Sequence, residues 1–327
     1  MALRINPFSK INNDTGFGSS SSGSVGRFVN KDGTFNLRKE GRPYWERMSL
    51  YHFMLNLSPL KFFCAILLFF FSINLIYTAI YLVLGAHEFV GIMGQSKWQV
   101  FKEIYFFSTE TFTTVGYGRV NPIGDGANLV ASLEALNGFL YLAVFTGLIY
   151  GRFSKPKAFL MFSDYATIAP YQDKMGLMFR FASYKNNHTL TDVEVKVTAA
   201  LLVTENGKTA YQFYDLPLER SKIQNLPMNW TVVHPIDENS PLQGLNQDDL
   251  KAADLEIYVL IRAFDDVFSN FVLKRTSYTY EEIHFNRRFV PMYRETGNST
   301  ILELHKLSES KEVDVTVAVP FSPIERS

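Results

Sequence analysis

Thr113-Thr114-Val115-Gly116-Tyr117-Gly118 lies between two long apolar runs, residues 62–84 and 127–151, and closes a helix-compatible stretch at 98–112. The first run holds no charged residue and the second holds only Glu134. Each is long enough to cross a bilayer as a helix, which takes about 20 residues. The stretch between them is too short and too polar to do the same. Non-helical backbone at membrane depth is tolerated only where it lines a cavity or is buried in protein, so this segment reads as a re-entrant pore loop.

The residue types suit one chemistry. A potassium ion gives up its water shell only if oxygen ligands replace it at little cost, and a ring of backbone carbonyls does this. Aiming successive carbonyls at one axis demands unusual dihedrals, which Gly116 and Gly118 adopt without a Cβ penalty. Thr114 can add a hydroxyl oxygen at the inner mouth, while Val115 and Tyr117 are expected to point away from the axis and brace the loop. The preceding helix would aim its partially negative C-terminus at the cavity and favour a cation there. One chain supplies one strand of the ring, so a cyclic homotetramer is expected, with K+ as the permeant ion and no organic cofactor. Taken alone, the five residues also fit a glycine-rich hairpin turn; their place between two spans argues for the pore.

Around this centre the chain divides into an N-terminal tail (1–40), a membrane pore domain (41–155) and a C-terminal β domain (156–327). Lys31, Arg38, Lys39, Arg42, Arg47 and Lys61 precede the first span and Arg152, Lys155 and Lys157 follow the second, whereas residues 86–126 carry only Lys97, Lys102 and Arg119. The positive-inside rule therefore predicts cytoplasmic termini. Residues 19–24 are Ser/Gly-rich and read as a disordered tail, and the polar first forty residues argue against a cleaved signal peptide. Trp45, Met48, Tyr51 and Leu55 fall at helical spacings, as in an amphipathic helix on the inner membrane surface, a pattern that a helix packed on protein shares. Beyond Pro156 the alternation changes to period two. Residues 193–197 and 313–317 read as half-buried strands, residues 255–261 as a more buried one, and Asn206-Gly207 as a hairpin turn. The class is α+β: two transmembrane helices, a pore helix and a β-sandwich. The only cysteine, Cys64, sits within the first span, so no intrachain disulfide forms. Formal charge is balanced, with 32 Lys and Arg against 32 Asp and Glu, and gives no sign of a nucleic-acid partner.

With the filter-like motif, residues 27–33 (RFVNKDG), 152–157 (RFSKPK) and 234–242 (HPIDENSPL) resemble the inward-rectifier potassium channel family. The likeness runs from residue 27 to about 295. It implies a slide helix, two transmembrane helices and a cytoplasmic immunoglobulin-like domain that extends the pore inward. Eukaryotic members carry an outer-loop cysteine pair that this chain lacks, so the prokaryotic branch, seated in a bacterial inner membrane, is the better match. By position Gly138 resembles the hinge glycine of the inner helix and Tyr150 the bulky residue of the gate. Independently, Leu142, Thr146 and Tyr150 share a stripe at four-residue steps, as a pore-lining face would, although Tyr150 also fits an interfacial aromatic. Arg152, Lys155 and Lys157 fall where the family binds anionic lipid, and the same charges serve as positive-inside anchors. In the cytoplasmic pore Glu194 matches an acidic position that attracts Mg2+ or polyamine blockers. Arg262 occupies another such position, where it would repel them or pair with Asp265 or Asp266. Glu110 resembles a glutamate that pairs with an arginine past the filter, but Arg119 stands one place early for that pair. Glu134, inside a span, is either functional or a buried structural carboxyl.

Other classes find little support. His87-Glu88 lacks the second histidine of a zinc protease, no Gly-x-Ser-x-Gly or phosphate loop occurs, and the six histidines are scattered. The chain therefore does not read as an enzyme. A non-conducting channel-like sensor and a potassium transporter subunit are the remaining alternatives, the latter lacking the expected internal repeats.

Overall fold

The computed structural model describes residues 5–12, 27–38, 40–41, 43, 49–186, 188–205, 208–297 and 299–313. The Ser/Gly-rich tail, Trp45, Met48, the Asn206-Gly207 turn and residues 314–317 lie outside these. Two compact units emerge. One is Glu40–Lys155; the other joins Met1–Lys39 to Pro156–Ser327.

The membrane unit is helical. Helix α1 (Leu50–Asn56) is followed by α2 (Pro59–Leu84), which starts on a proline suited to a first turn that needs no N–H. Gly85, at φ 103°, ends α2. Helix α3 (Lys97–Phe112) opens with a capping box in which Ser96 and Gln99 satisfy each other's backbone N–H groups. Helix α4 (Asp125–Phe153) carries Asp125 in its first turn and Arg152 in its last, both favourable to the helix dipole. Among the described residues, only α2 and α4, with 26 and 29 residues, are long and apolar enough to cross a membrane. Between the helices a short ladder, β1 (Phe89–Val90) with β2 (Asn121–Pro122), closes the loops. Tyr81, Phe89 and Phe107 meet edge-on beneath it, with centroids 5.3–5.4 Å apart.

The second unit is a sandwich of two five-stranded sheets. One contains β6 (Leu190–Glu205), β7 (Lys208–Asp215), β8 (Lys222–Asn225), β10 (Glu256–Asp265) and β11 (Asn270–Thr279). The other contains β3 (Leu160–Phe162), β4 (Ala166–Tyr171), β5 (Lys174–Ser183), β9 (Asn229–Ile236) and β12 (Ile283–Phe285). Val193, Val195 and Val197 of β6 point inward with Leu177, Phe179 and Phe181 of β5, so period-two alternation on each strand builds one shared core. The strand expected at 255–261 is β10, which lies between β11 and β6, starts at Glu256 and extends to Asp265.

The described N-terminal residues are part of this sandwich. Phe28 and Val29 donate their N–H groups to the Glu256 carboxylate at 2.9 and 3.1 Å. Thr276 Oγ1 donates to Lys31 O, and Arg27 and Lys31 both pair with Glu282. Gly33, at φ 89°, passes so close to Arg275 O that a Cβ would lie 2.6 Å from it. Farther up the chain, Asn6 donates to Ser240 O and Gln243 Oε1, and Asn12 N donates to Phe213 O, which adds a short bridge to the free edge of β7.

Candidate functional site: a carbonyl-lined filter

Helix α3 ends at Phe112, and the chain folds back under its last turn. Val115 N and Gly116 N both donate to Glu110 O, at 2.9 and 3.3 Å, and Thr114 N donates to Thr111 O. Thr113 Oγ1 caps Thr109 O at 2.7 Å. Along the following strand φ alternates in sign: Thr114 is at 59°, Gly116 at 56° and Gly118 at 78°, while Val115 and Tyr117 are not left-handed. Alternating left- and right-handed residues turn successive peptide groups to a common side, which is the geometry a column of carbonyl ligands needs. A Cβ at Gly116 or Gly118 would touch nothing, so the demand there is for φ, not for space. Thr114 meets the same demand with a β-branched side chain and is the strained residue of the segment. Behind the strand lies a cleft of ≈ 280 Å³ whose wall includes Glu110, Thr111, Gly116 and Gly118.

Val115 and Tyr117 are 54% and 80% exposed, so within one subunit they brace nothing. Arg119 pairs with Glu103 at 3.6 Å rather than with Glu110, and Glu103 also accepts Met93 N. Asn121 Nδ2 holds Gly118 O at 2.7 Å. Residues 118–121 are thus fastened to each other and, through Arg119, to the middle of α3. The sequence reading missed Glu103, which is one of several charged residues on this helix and carries no local mark of its partner.

Helix α4 runs unbroken through Gly138. A Cβ there would lie 1.8 Å from Phe112 O, so glycine lets α4 touch the last turn of the pore helix. Leu142, Thr146 and Tyr150 form an exposed stripe below it. Gly151 faces Tyr51 of α1, with Oη 2.6 Å from where a Cβ would stand. The Arg152 guanidinium lies over the Phe62 ring at 5.0 Å, and its Nη1 is buried with no hydrogen-bond partner among the described residues. Lys155 Nζ reaches Asn56 Oδ1 at 3.3 Å. Lys157 is exposed.

In the sandwich, Arg262 pairs with neither Asp265 nor Asp266 among the described residues. Its guanidinium lies 4.1 Å from the Phe271 ring centroid. Asp265 is fully buried and taken by His188 Nδ1 and the N–H groups of Val267 and Phe268, while Asp266 accepts Thr189 N. Those turn bonds leave neither carboxylate facing Arg262.

Glu134 is fully buried where α2, α3 and α4 meet. Tyr81 Oη donates to one of its oxygens, and Ser108 Oγ contacts the other. Asn74, Thr78 and Tyr81 recur at helical spacing on the apolar α2, a polar stripe that marks the buried side in the sequence itself.

Two family models match the chain. That of the inward rectifier potassium channel C-terminal domain covers residues 160–325, and one described as an ion channel covers residues 66–155. The inward rectifier potassium channel Kirbac3.1 of Paramagnetospirillum magnetotacticum is 32% identical over 82% of this chain and 89% of its own length. The ATP-sensitive inward rectifier potassium channel 12 of Homo sapiens is 29% identical over 66% of this chain, which spans about half (52%) of that relative. Among solved structures, Spo0M from Bacillus subtilis aligns over 38% of this chain and 47% of its own at 6% identity and a TM-score of 0.22. A short helix ending in a strand of alternating φ, two candidate spans, a β-sandwich and matches across both units agree: the chain belongs to the inward rectifier potassium channel family and is a potassium channel protein, not an enzyme.

Proposed function

We propose that four copies of this chain assemble around an axis lined by the carbonyls of residues 114–118 and pass K+ passively across the membrane. The observation that carries this reading is the alternation of φ at Thr114, Gly116 and Gly118, which a hairpin turn does not require. The exposed side chains of Val115 and Tyr117 then find their support on neighbouring subunits. Below the filter, the stripe of Leu142, Thr146 and Tyr150 lines the conduit, and the four Tyr150 rings close it by narrowing and dewetting the inner mouth.

Anionic lipid headgroups are the proposed ligand of Arg152, Lys155 and Lys157. Arg152 presents a buried, unpartnered Nη1, which a phosphate oxygen would satisfy. Residues 27–36 pack on the sandwich formed after the second span, so with two crossings both termini share one side of the membrane. The distribution of Lys and Arg selects the cytoplasmic side, in a bacterial inner membrane.

Rubidium uptake into liposomes containing the purified chain tests this function. Uptake should be blocked by barium and should exclude sodium, and cross-linking should stop at four subunits. Equal sodium and rubidium fluxes overturn the filter reading, and a sealed protein that still binds anionic lipid points to the sensor alternative.

A further inference from the structure

The hydrogens around Glu134 can be counted. Asn74 Nδ2 lies 2.7 Å from Phe70 O, and a carbonyl only accepts, so the amide nitrogen faces Phe70 and Asn74 Oδ1 faces Ser108 Oγ at 3.1 Å. Tyr81 supplies its one hydroxyl hydrogen to Glu134 Oε2 at 2.5 Å. Ser108 Oγ stands between Glu134 Oε1 and the acceptors of Asn74, Oδ1 at 3.1 Å and the main-chain O at 3.3 Å, and it has a single hydrogen to give. If Glu134 were ionised, Ser108 would have to donate to it, and Ser108 Oγ would then face Asn74 Oδ1 with no hydrogen between them. If Glu134 carries a proton, Oε1 donates to Ser108 Oγ, and Ser108 donates onward to Asn74 Oδ1. Each hydroxyl and carboxyl hydrogen of this relay then has an acceptor, and Asn74 Oδ1 has a donor. No Lys, Arg or His is among its hydrogen-bond partners, so an ionised carboxylate would also be a buried, unpaired charge.

We infer that Glu134 is held as a neutral carboxylic acid, accepting from Tyr81 and donating to Ser108, and that it acts as a positioning residue for the filter. Its two partners, Tyr81 and Ser108, sit on α2 and on the pore helix, while it stands on α4. The clasp therefore fixes the pore helix against both candidate spans just ahead of Thr114. Thr78 Oγ1 donates to Asn74 O at 2.7 Å and fastens the far end of the relay. All five side chains, Asn74, Thr78, Tyr81, Ser108 and Glu134, are fully buried. The positioning role rests on the filter reading above, whereas the proton assignment does not.

The test uses the full chain in lipid bilayers. An infrared spectrum at neutral pH should show the carbonyl stretch of a protonated carboxylic acid, shifting on deuteration and missing from Glu134→Gln. Because an amide can also donate to Ser108 and accept from Tyr81, Glu134→Gln should keep the rubidium-over-sodium preference within about twofold. Glu134→Ala strands Ser108 and Tyr81 and should lower that preference about tenfold. Tyr81→Phe, which keeps the ring, should give a smaller fall in the same direction and serves if the alanine variant does not assemble. An unchanged band in Glu134→Gln overturns the proton assignment, and a Gln variant as impaired as the Ala variant overturns the positioning role. A native protein with the band but no rubidium preference would leave the proton assignment standing and remove the filter reading.

Discussion

Arg262 stands directly across from Glu194 on the neighbouring antiparallel strands β10 and β6. Side chains at such positions are about 5 Å apart at Cβ, so the cation offsets much of the field of the carboxylate. Lys196 adds a second cation, 3.7 Å from Glu194. A polyvalent cation entering a conduit lined by this site meets little net attraction.

Weak rectification is the expected consequence. In the proposed tetramer each charge on the path counts four times, and Leu142, on the stripe proposed to line the conduit, offers none. Native currents in planar bilayers should therefore show little block at micromolar spermine. Leu142→Asp should introduce voltage-dependent block and lower the half-blocking concentration about tenfold or more, with Arg262→Ala giving a smaller shift. Steep block of the native channel would mean that neither residue controls it.

Replacing Gly138 with alanine sets two effects against each other. Helix propensity favours the substitution by about 1 kcal/mol. Against it, the new methyl would sit 1.8 Å from the Phe112 carbonyl, a backbone atom that can move only with the pore helix. Overpacking of this kind costs about 1–3 kcal/mol, so a lower melting temperature and reduced rubidium uptake are expected together. A variant that is more stable and fully active would show that the helices separate freely at this point.

Tyr150 is 73% exposed within the subunit and ends the stripe. Tyr150→Ala should raise resting rubidium flux without changing the rubidium-over-sodium ratio, because the filter is untouched. Unchanged flux at equal protein level would move the gate to Phe145 or to residues 263–268.

His234 links pH to the stability of the sandwich. It lies between Pro217 O, 2.6 Å from Nδ1, and Ser240 Oγ, 2.8 Å from Nε2, and burial pushes its pKa below the ordinary histidine value, outweighing the Pro217 and Asp237 contributions that raise it. Below about pH 6.5 the unfolded chain takes up a proton that the folded chain resists, so this contribution to stability falls as pH drops from there to the folded pKa. Melting curves between about pH 7.5 and 5.5 should show a smaller loss for His234→Gln than for the native protein, even though the variant starts lower. Parallel losses would assign the acid sensitivity to carboxylates.

The helices and the left-handed glycines after α3 were legible because their signals are local. Apolar length marks α2 and α4, and Gly116 and Gly118 mark two of the three left-handed positions. The third, Thr114, was not legible, since nothing in a threonine announces a positive φ. It follows from the geometry of its neighbours. The partners of Arg119 and Glu134 were equally hidden, because Glu103 and Ser108 reach them only once α3 has folded back between the spans. Arg262 and Glu194 were singled out separately, and only strand register makes them neighbours. Gly138 drew attention as a bend point, but the contact that requires glycine lies on another helix.

The attachment of residues 27–36 to β10 and β11 sets an order for biogenesis. A ribosome releases the N-terminal segment first, yet Glu256, Arg275 and Glu282, which receive it, emerge only after both candidate spans have been made. Until then Phe28 and Val29 have no carboxylate to meet, and the nascent segment must wait beside the membrane while more than two hundred residues are added. A chain truncated before β10 can still place Asn6 and Asn12 on Ser240 and Phe213, but it lacks every group that holds residues 27–36.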